Sequence, residues 1–244
     1  MEKAKVSKYV RKYLRIMKKY NPFVDNSLDV QIEKIIRALE SEDYETKKQF
    51  VEGTCIFLDI KGTTNAQFLL HKQLFEKIIV PVFAIEYKKN NAKFIKWIGQ
   101  CDDLFSSRKN DLLKQIDDFD ADSSFEFVEY FCGKSFMLDK NQETLDIIMK
   151  LEKLEVFLLV LDSSDYVHRP YKYFEYLKSV IDRMERCKEY CKISGNDKWD
   201  TLLADWELLV TRLYKYEEYV RNNDYITFDD YKKKIGVDID YGPY

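Results

Sequence analysis

Glycine and proline are scarce in this chain, with seven and four in 244 residues. Sheets joined by tight turns and the phosphate loops of dinucleotide-binding folds consume glycine, because it alone takes a positive φ without steric cost. The scarcity argues against β-sandwiches, propellers and Rossmann-like sheets and makes a helical chain the expectation. Glycines stand at 53, 62, 99, 133, 195, 236 and 242. Five of them, Gly62, Gly99, Gly133, Gly195 and Gly236, follow a helix-like segment, where a left-handed C-cap favours this residue.

Between these stops the apolar spacing predicts helices over 4–20, 27–40, 42–61, 65–89, 91–104, 108–118, 124–132, 141–163, 170–193, 197–222 and 228–235. The clearest period runs through Leu202, Leu203, Trp206, Leu209, Val210, Leu213 and Tyr216, which recur at three and four and share one broad face. Helix 141–163 repeats it through Leu145, Ile148, Met149, Leu151, Leu154, Phe157, Leu158 and Leu161. Asn141 and Asn196 stand where N-caps belong. The intervals of 37 residues from Gly62 to Gly99 and 34 from Gly99 to Gly133 approach a helical-hairpin repeat, without any repeated residue pattern inside them. No Ser, Pro or Gly-rich linker divides the chain. The expectation is all-α: one domain over 1–244, an irregular bundle or short α-solenoid of about nine to eleven helices, with the 141–222 helices central.

Charge is unevenly spread. The net −3 hides eight Lys or Arg against one Glu in residues 1–20. Lys3, Lys5, Lys8, Arg11, Lys12, Arg15, Lys18 and Lys19 lie opposite a stripe of Val6, Val10, Tyr13, Met17 and Tyr20, a basic amphipathic helix. Such a helix can meet nucleic acid or an anionic membrane surface; the alternative docks its stripe on the domain and leaves the cations solvated. Five cysteines, an odd number without a CxxC pair, sit among apolar neighbours as reduced thiols of a cytoplasmic protein would. The longest apolar runs, Ile78 to Ile85 and Val156 to Leu161, fall far short of the roughly 20 residues of a membrane span.

Residues with catalytic chemistry are few. His71 and His168 are the only histidines, and no GxSxG or HExxH occurs. His71 reads as a satisfied helix residue and His168, before Arg169-Pro170, as part of a surface turn. Gly133-Lys134-Ser135 lacks the first glycine of a phosphate loop, since Val128 stands there. Cys187 and Cys191 share a helix face and could each give a thiolate to a metal, but two further ligands are missing, and small core side chains are the simpler reading.

Two short stretches resemble known sites. Asp118, Asp120, Asp122 and Glu129 occupy positions 1, 3, 5 and 12 of a twelve-residue segment with apolar Phe125 at position 8. The segment resembles an EF-hand loop, which implies calcium held by those four carboxylates. It departs at position 6, where Ser123 replaces the turn glycine; the alternative is a solvated acidic loop or acidic partner surface. Asp59, followed by Glu86 and Lys88, resembles the acid, acid-x-lysine pattern of PD-(D/E)xK nucleases. The resemblance implies both carboxylates on a divalent metal such as magnesium and the lysine beside the attacked phosphate. It requires 82–88 to be a strand, on which residues two apart share a face; on a helix Glu86 and Lys88 diverge by roughly 200°.

The steepest negative stretch lies between residues 100 and 130. Nine acids (Asp102, Asp103, Asp111, Asp117, Asp118, Asp120, Asp122, Glu126 and Glu129) face three bases (Arg108, Lys109 and Lys114). Clustered like charges repel, and a basic partner or a cation would relieve them. With 18 Tyr and 16 Phe, the composition suits an acidic, aromatic surface that binds another protein. The functional expectation is therefore a non-enzymatic interaction protein needing no cofactor, of the bacterial immunity or antitoxin type, with a basic toxin as partner. The alternatives are the metal-dependent nuclease carried by Asp59, Glu86 and Lys88 and the calcium-binding loop.

Overall fold

The computed structural model describes residues 8–17, 27–61, 70–106, 112–117, 124–162, 170–223 and 226–236. Helices are α1 (Lys8–Met17), α2 (Ser27–Glu40), α3 (Tyr44–Lys61), α4 (residues 72–88), α5 (Ala92–Gly99), α6 (Asp102–Ser106), α7 (Ser124–Asp139), α8 (Gln142–Asp162), α9 (Pro170–Ser194), α10 (Asp200–Asn222) and α11 (Phe228–Lys234). No strand occurs among the described residues. The fold is the all-α one the glycine scarcity implies, and no described helix is long and apolar enough to cross a membrane.

The chain forms two compact units, Met1–Asp139 and Lys140–Tyr244. The first holds a continuous buried cluster from Val10 to Phe131. Its phenylalanines pack largely edge to face: Phe75 on Phe83 and Phe105, Phe83 on Phe94, Phe94 on Trp97, with centroids 5.1–6.4 Å apart. Such pairs add about 0.5–1.5 kcal/mol each beyond area burial. The abundance of Phe thus serves this core. The large cluster lies in the first unit rather than around helices 141–222.

Local chemistry explains the helix ends. Gly195 and Gly236 take φ of +65° and +70° and close α9 and α11 as left-handed caps. Asn90 and Lys140 do the same after α4 and α7 with φ of 54° and 52°. Gly133 is no stop: it lies inside α7, buried, so the 34-residue interval ending there marks no repeat. Gly99 ends α5 because it packs, not because it turns. A Cβ there would come 2.9 Å from Cys132 Sγ and 3.2 Å from Phe131 Cβ, so the bare Cα lets α5 and α7 approach closely. Within α4, residues Phe75–Ile79 form a π-helical turn just before Pro81. Proline lacks an N–H and its ring clashes with the carbonyl four residues back, that of Lys77, and the wider turn absorbs the mismatch.

In the second unit α8 packs on α9 and α9 on α10. On α10 every member of the expected stripe is buried except Leu202, which is half-buried. On α8, Leu145, Ile148 and Met149 are buried, whereas Leu154 is 49% exposed; the side chains of Phe157, Leu158 and Leu161 lie outside the described residues. Asn141 Oδ1 accepts from the Glu143 amide at 2.8 Å and Asn196 Oδ1 from the Lys198 amide at 2.9 Å, the two expected caps. Arg183 of α9 meets Glu152 of α8 at 3.2 Å, both buried.

Candidate functional site

The densest polar arrangement surrounds the C-terminal end of α4, where successive residues Glu86 and Tyr87 each enter a separate network. Glu86 is 1% exposed. Its carboxylate accepts from the Tyr44 hydroxyl, from Lys89 Nζ at 2.9 Å and from Asn91 Nδ2 at 2.6 Å, and pairs with Lys48 Nζ at 3.2 Å. A carboxylate offers about four acceptor positions, and four donors occupy them. Burial alone would raise its pKa. The bonds from Tyr44, Lys89, Asn91 and Lys48 outweigh burial and hold it down at about 2. Burial and the Glu86 carboxylate together push the Tyr44 phenol above its ordinary range.

Tyr87 points to α7. Its hydroxyl donates to Asp117 Oδ2, which also accepts from the Tyr130 hydroxyl at 2.7 Å. Lys134 Nζ donates to the Tyr87 hydroxyl and lies 3.9 Å from the ring centroid. Burial, then the bond to Asp117, raises the Tyr87 pKa. Ser135, one residue on, donates to the Ala92 carbonyl at 2.8 Å and ties α7 to the start of α5. The Gly133-Lys134-Ser135 triplet is therefore a piece of helix-to-helix packing.

The nuclease pattern lacks its geometry. Residues 82–88 are helical, so Glu86 and Lys88 face different directions: Glu86 is buried and saturated, Lys88 exposed. Asp59 lies in α3, also helical, with its side chain outside the described residues.

Of the acidic stretch, Asp118, Asp120 and Asp122 lie outside the described residues, as do Asp111 and the side chain of Asp103. Asp102 is only 8% exposed and Asp117 accepts from two tyrosines, so neither belongs to an outward acidic surface. Glu126 is exposed and Glu129 half-buried, both on α7. The helix begins at Ser124, position 7 of the EF-hand-like segment. A carbonyl there points along the helix axis toward the amide four residues on, not into a loop.

His71 stands just before α4 in extended backbone, not within a helix, with Nε2 3.3 Å from Asp29 Oδ1. His168 lies outside the described residues. Cys187 and Cys191 are buried, Cys191 Sγ being 3.9 Å from Met149 Sδ. Among the described residues no group of three or more His, Cys, Asp or Glu is arranged to hold a metal. The sequence missed both networks, whose members are up to 47 residues apart; the one local signal is a buried acid and tyrosine on the apolar α4. Comparison with protein-family models, curated proteins and solved structures finds no match to this chain.

Proposed function

We propose that the protein acts by binding another protein, a basic one, as an immunity or antitoxin-type protein would. The observation that carries this reading is the outward side of α7. It presents Glu126 near its start and Met137, 54% exposed, near its end, eleven residues on and only about 20° apart around the axis; Leu138 is 46% exposed at the helix end, and half-buried Glu129 lies about 60° to one side. Acids steer a basic partner, and exposed methionine and leucine supply apolar contact of the kind interface cores use. The fully occupied Glu86 carboxylate favours this reading over the nuclease, since the candidate acid has no lone pair to offer a metal. Aromatic contact plays a smaller part than composition suggests, because Tyr214 is the one exposed aromatic among the described side chains.

The test is co-expression with a basic protein encoded by a neighbouring reading frame, followed by affinity and association rate at several salt concentrations. Binding that weakens and slows with salt, and weakens again in Glu126→Gln/Glu129→Gln and in Met137→Ser/Leu138→Ser, is the expected result. Unchanged binding by both variants would remove α7 as the partner surface. Calcium belongs to the same experiment: a melting temperature raised by calcium and unmoved in Asp118→Asn/Asp120→Asn/Asp122→Asn would favour the calcium reading.

A further inference from the structure

Helix α1 has two faces of opposite character. Val10 and Tyr13 are fully buried, and Ile16 and Met17 are 6% and 7% exposed. The stripe is locked in place: a Cβ on Gly53 of α3 would lie 3.0 Å from Val10 Cγ2, and the His71 amide donates to the Tyr13 hydroxyl at 3.0 Å. The opposite face carries Lys8, Arg11, Lys12 and Arg15, all exposed and spaced i, i+3, i+4 and i+7.

Some cations elsewhere in this unit find carboxylates, while Lys34, Lys72 and Lys88 stand exposed without an ion pair among the described residues. Arg37 pairs with Glu33 at 2.7 Å, Lys93 with Glu52 at 2.7 Å, and Lys48 and Lys89 both with Glu86. None of the four α1 cations makes an ion pair among the described residues; Lys8 lies over the ring of its neighbour Tyr9. Like charges at these spacings repel, and among the described residues no ion pair relieves them.

We propose that this face binds the phosphate backbone of nucleic acid, independently of sequence and of the protein-partner reading above. From Lys8 to Arg15 the helix axis advances about 10 Å, at 1.5 Å per residue. Phosphates of one strand follow at about 3.4 Å along a duplex axis, so a run of roughly three falls within reach of the four side chains. An anionic membrane fits less well. An interfacial helix buries its apolar face among lipids, and on α1 that face is already taken by the core.

The experiment uses the full chain, a short DNA duplex of arbitrary sequence and, in parallel, phosphatidylserine vesicles at the same salt concentrations. The expected result is duplex binding whose logarithm falls against log salt with a slope of about −3, about −0.9 for each of roughly three phosphates neutralised. Arg11→Gln/Lys12→Gln should reduce the slope by about 2. Lys8→Gln/Arg11→Gln/Lys12→Gln/Arg15→Gln should lose binding at least tenfold with an unchanged melting curve, while Lys93→Gln, on a paired cation, binds as wild type. No duplex binding, a fourfold variant that binds like wild type, or tighter capture by vesicles than by duplex at matched salt would overturn the proposal.

Discussion

Gly99 and Cys132 mark a close approach of α5 and α7: a Cβ on Gly99 would stand 2.9 Å from Cys132 Sγ, closer than such atoms approach. The sulfur is buried, and burial pushes its thiol pKa up to about 12, with Lys96 acting in the opposite direction. The contact is tight, apolar in character and unable to open without moving a helix.

Gly99→Ala should therefore destabilise the protein by about 1–3 kcal/mol through overpacking, despite the better helix propensity of alanine. In a Cys132→Ala background the same substitution should cost less, since the nearest obstructing atom is gone. Equilibrium urea unfolding of the two single variants and the double variant measures the coupling, expected at about 0.5–3 kcal/mol. Equal costs in both backgrounds would place the constraint on Phe131 instead.

Glu86 makes stability depend on acid pH. Its folded pKa lies below its ordinary value of 4.5, at about 2. The stabilisation is thus complete above about pH 4.5 and lost as pH falls toward about 2, a loss of about 3 kcal/mol for a shift of this size. Glu86→Gln should be less stable at neutral pH and show a shallower decline across that window. Thermal melts from pH 7 to pH 2 check both, and a wild-type and variant with parallel pH profiles would contradict the assignment.

Arg183 and Glu152 hold α8 to α9 through a buried ion pair 3.2 Å apart. Arg183→Met alone should cost about 3–5 kcal/mol by stranding the Glu152 charge, and Arg183→Met/Glu152→Met much less. The readout is the denaturation midpoint of each variant. A double variant as unstable as the single one would show that the pair's role is packing of the arginine stem rather than charge.

The helices were legible because amphipathic period is a local signal. Leu203, Trp206, Leu209, Val210, Leu213 and Tyr216 all face inward, and Gly195, Asn141 and Asn196 act as the caps their types suggest. Gly133 misled because a glycine buried inside a helix and a glycine that ends one look alike in sequence. Asp102 and Asp117 misled for a related reason: counting charges along the chain says nothing of whether a tyrosine elsewhere has already claimed the carboxylate. The Glu86 network was invisible for the same cause, its Tyr44 partner lying 42 residues away. The resemblance to a nuclease pattern rested on strand geometry, whereas 82–88 lies within the helix expected over 65–89 and is helical in the structure.

Glu86 is saturated within the first unit, and we propose that the protein acts by binding rather than by cleavage. This is tested most directly by incubating purified wild type, Glu86→Gln, Lys88→Ala and Asp59→Ala with plasmid DNA and RNA in magnesium or manganese, with melting temperatures measured in parallel. No metal-dependent cleavage by any of them and a lowered melting temperature for Glu86→Gln are the expected results. Cleavage by wild type that disappears in Glu86→Gln and Lys88→Ala without loss of stability would contradict the binding reading.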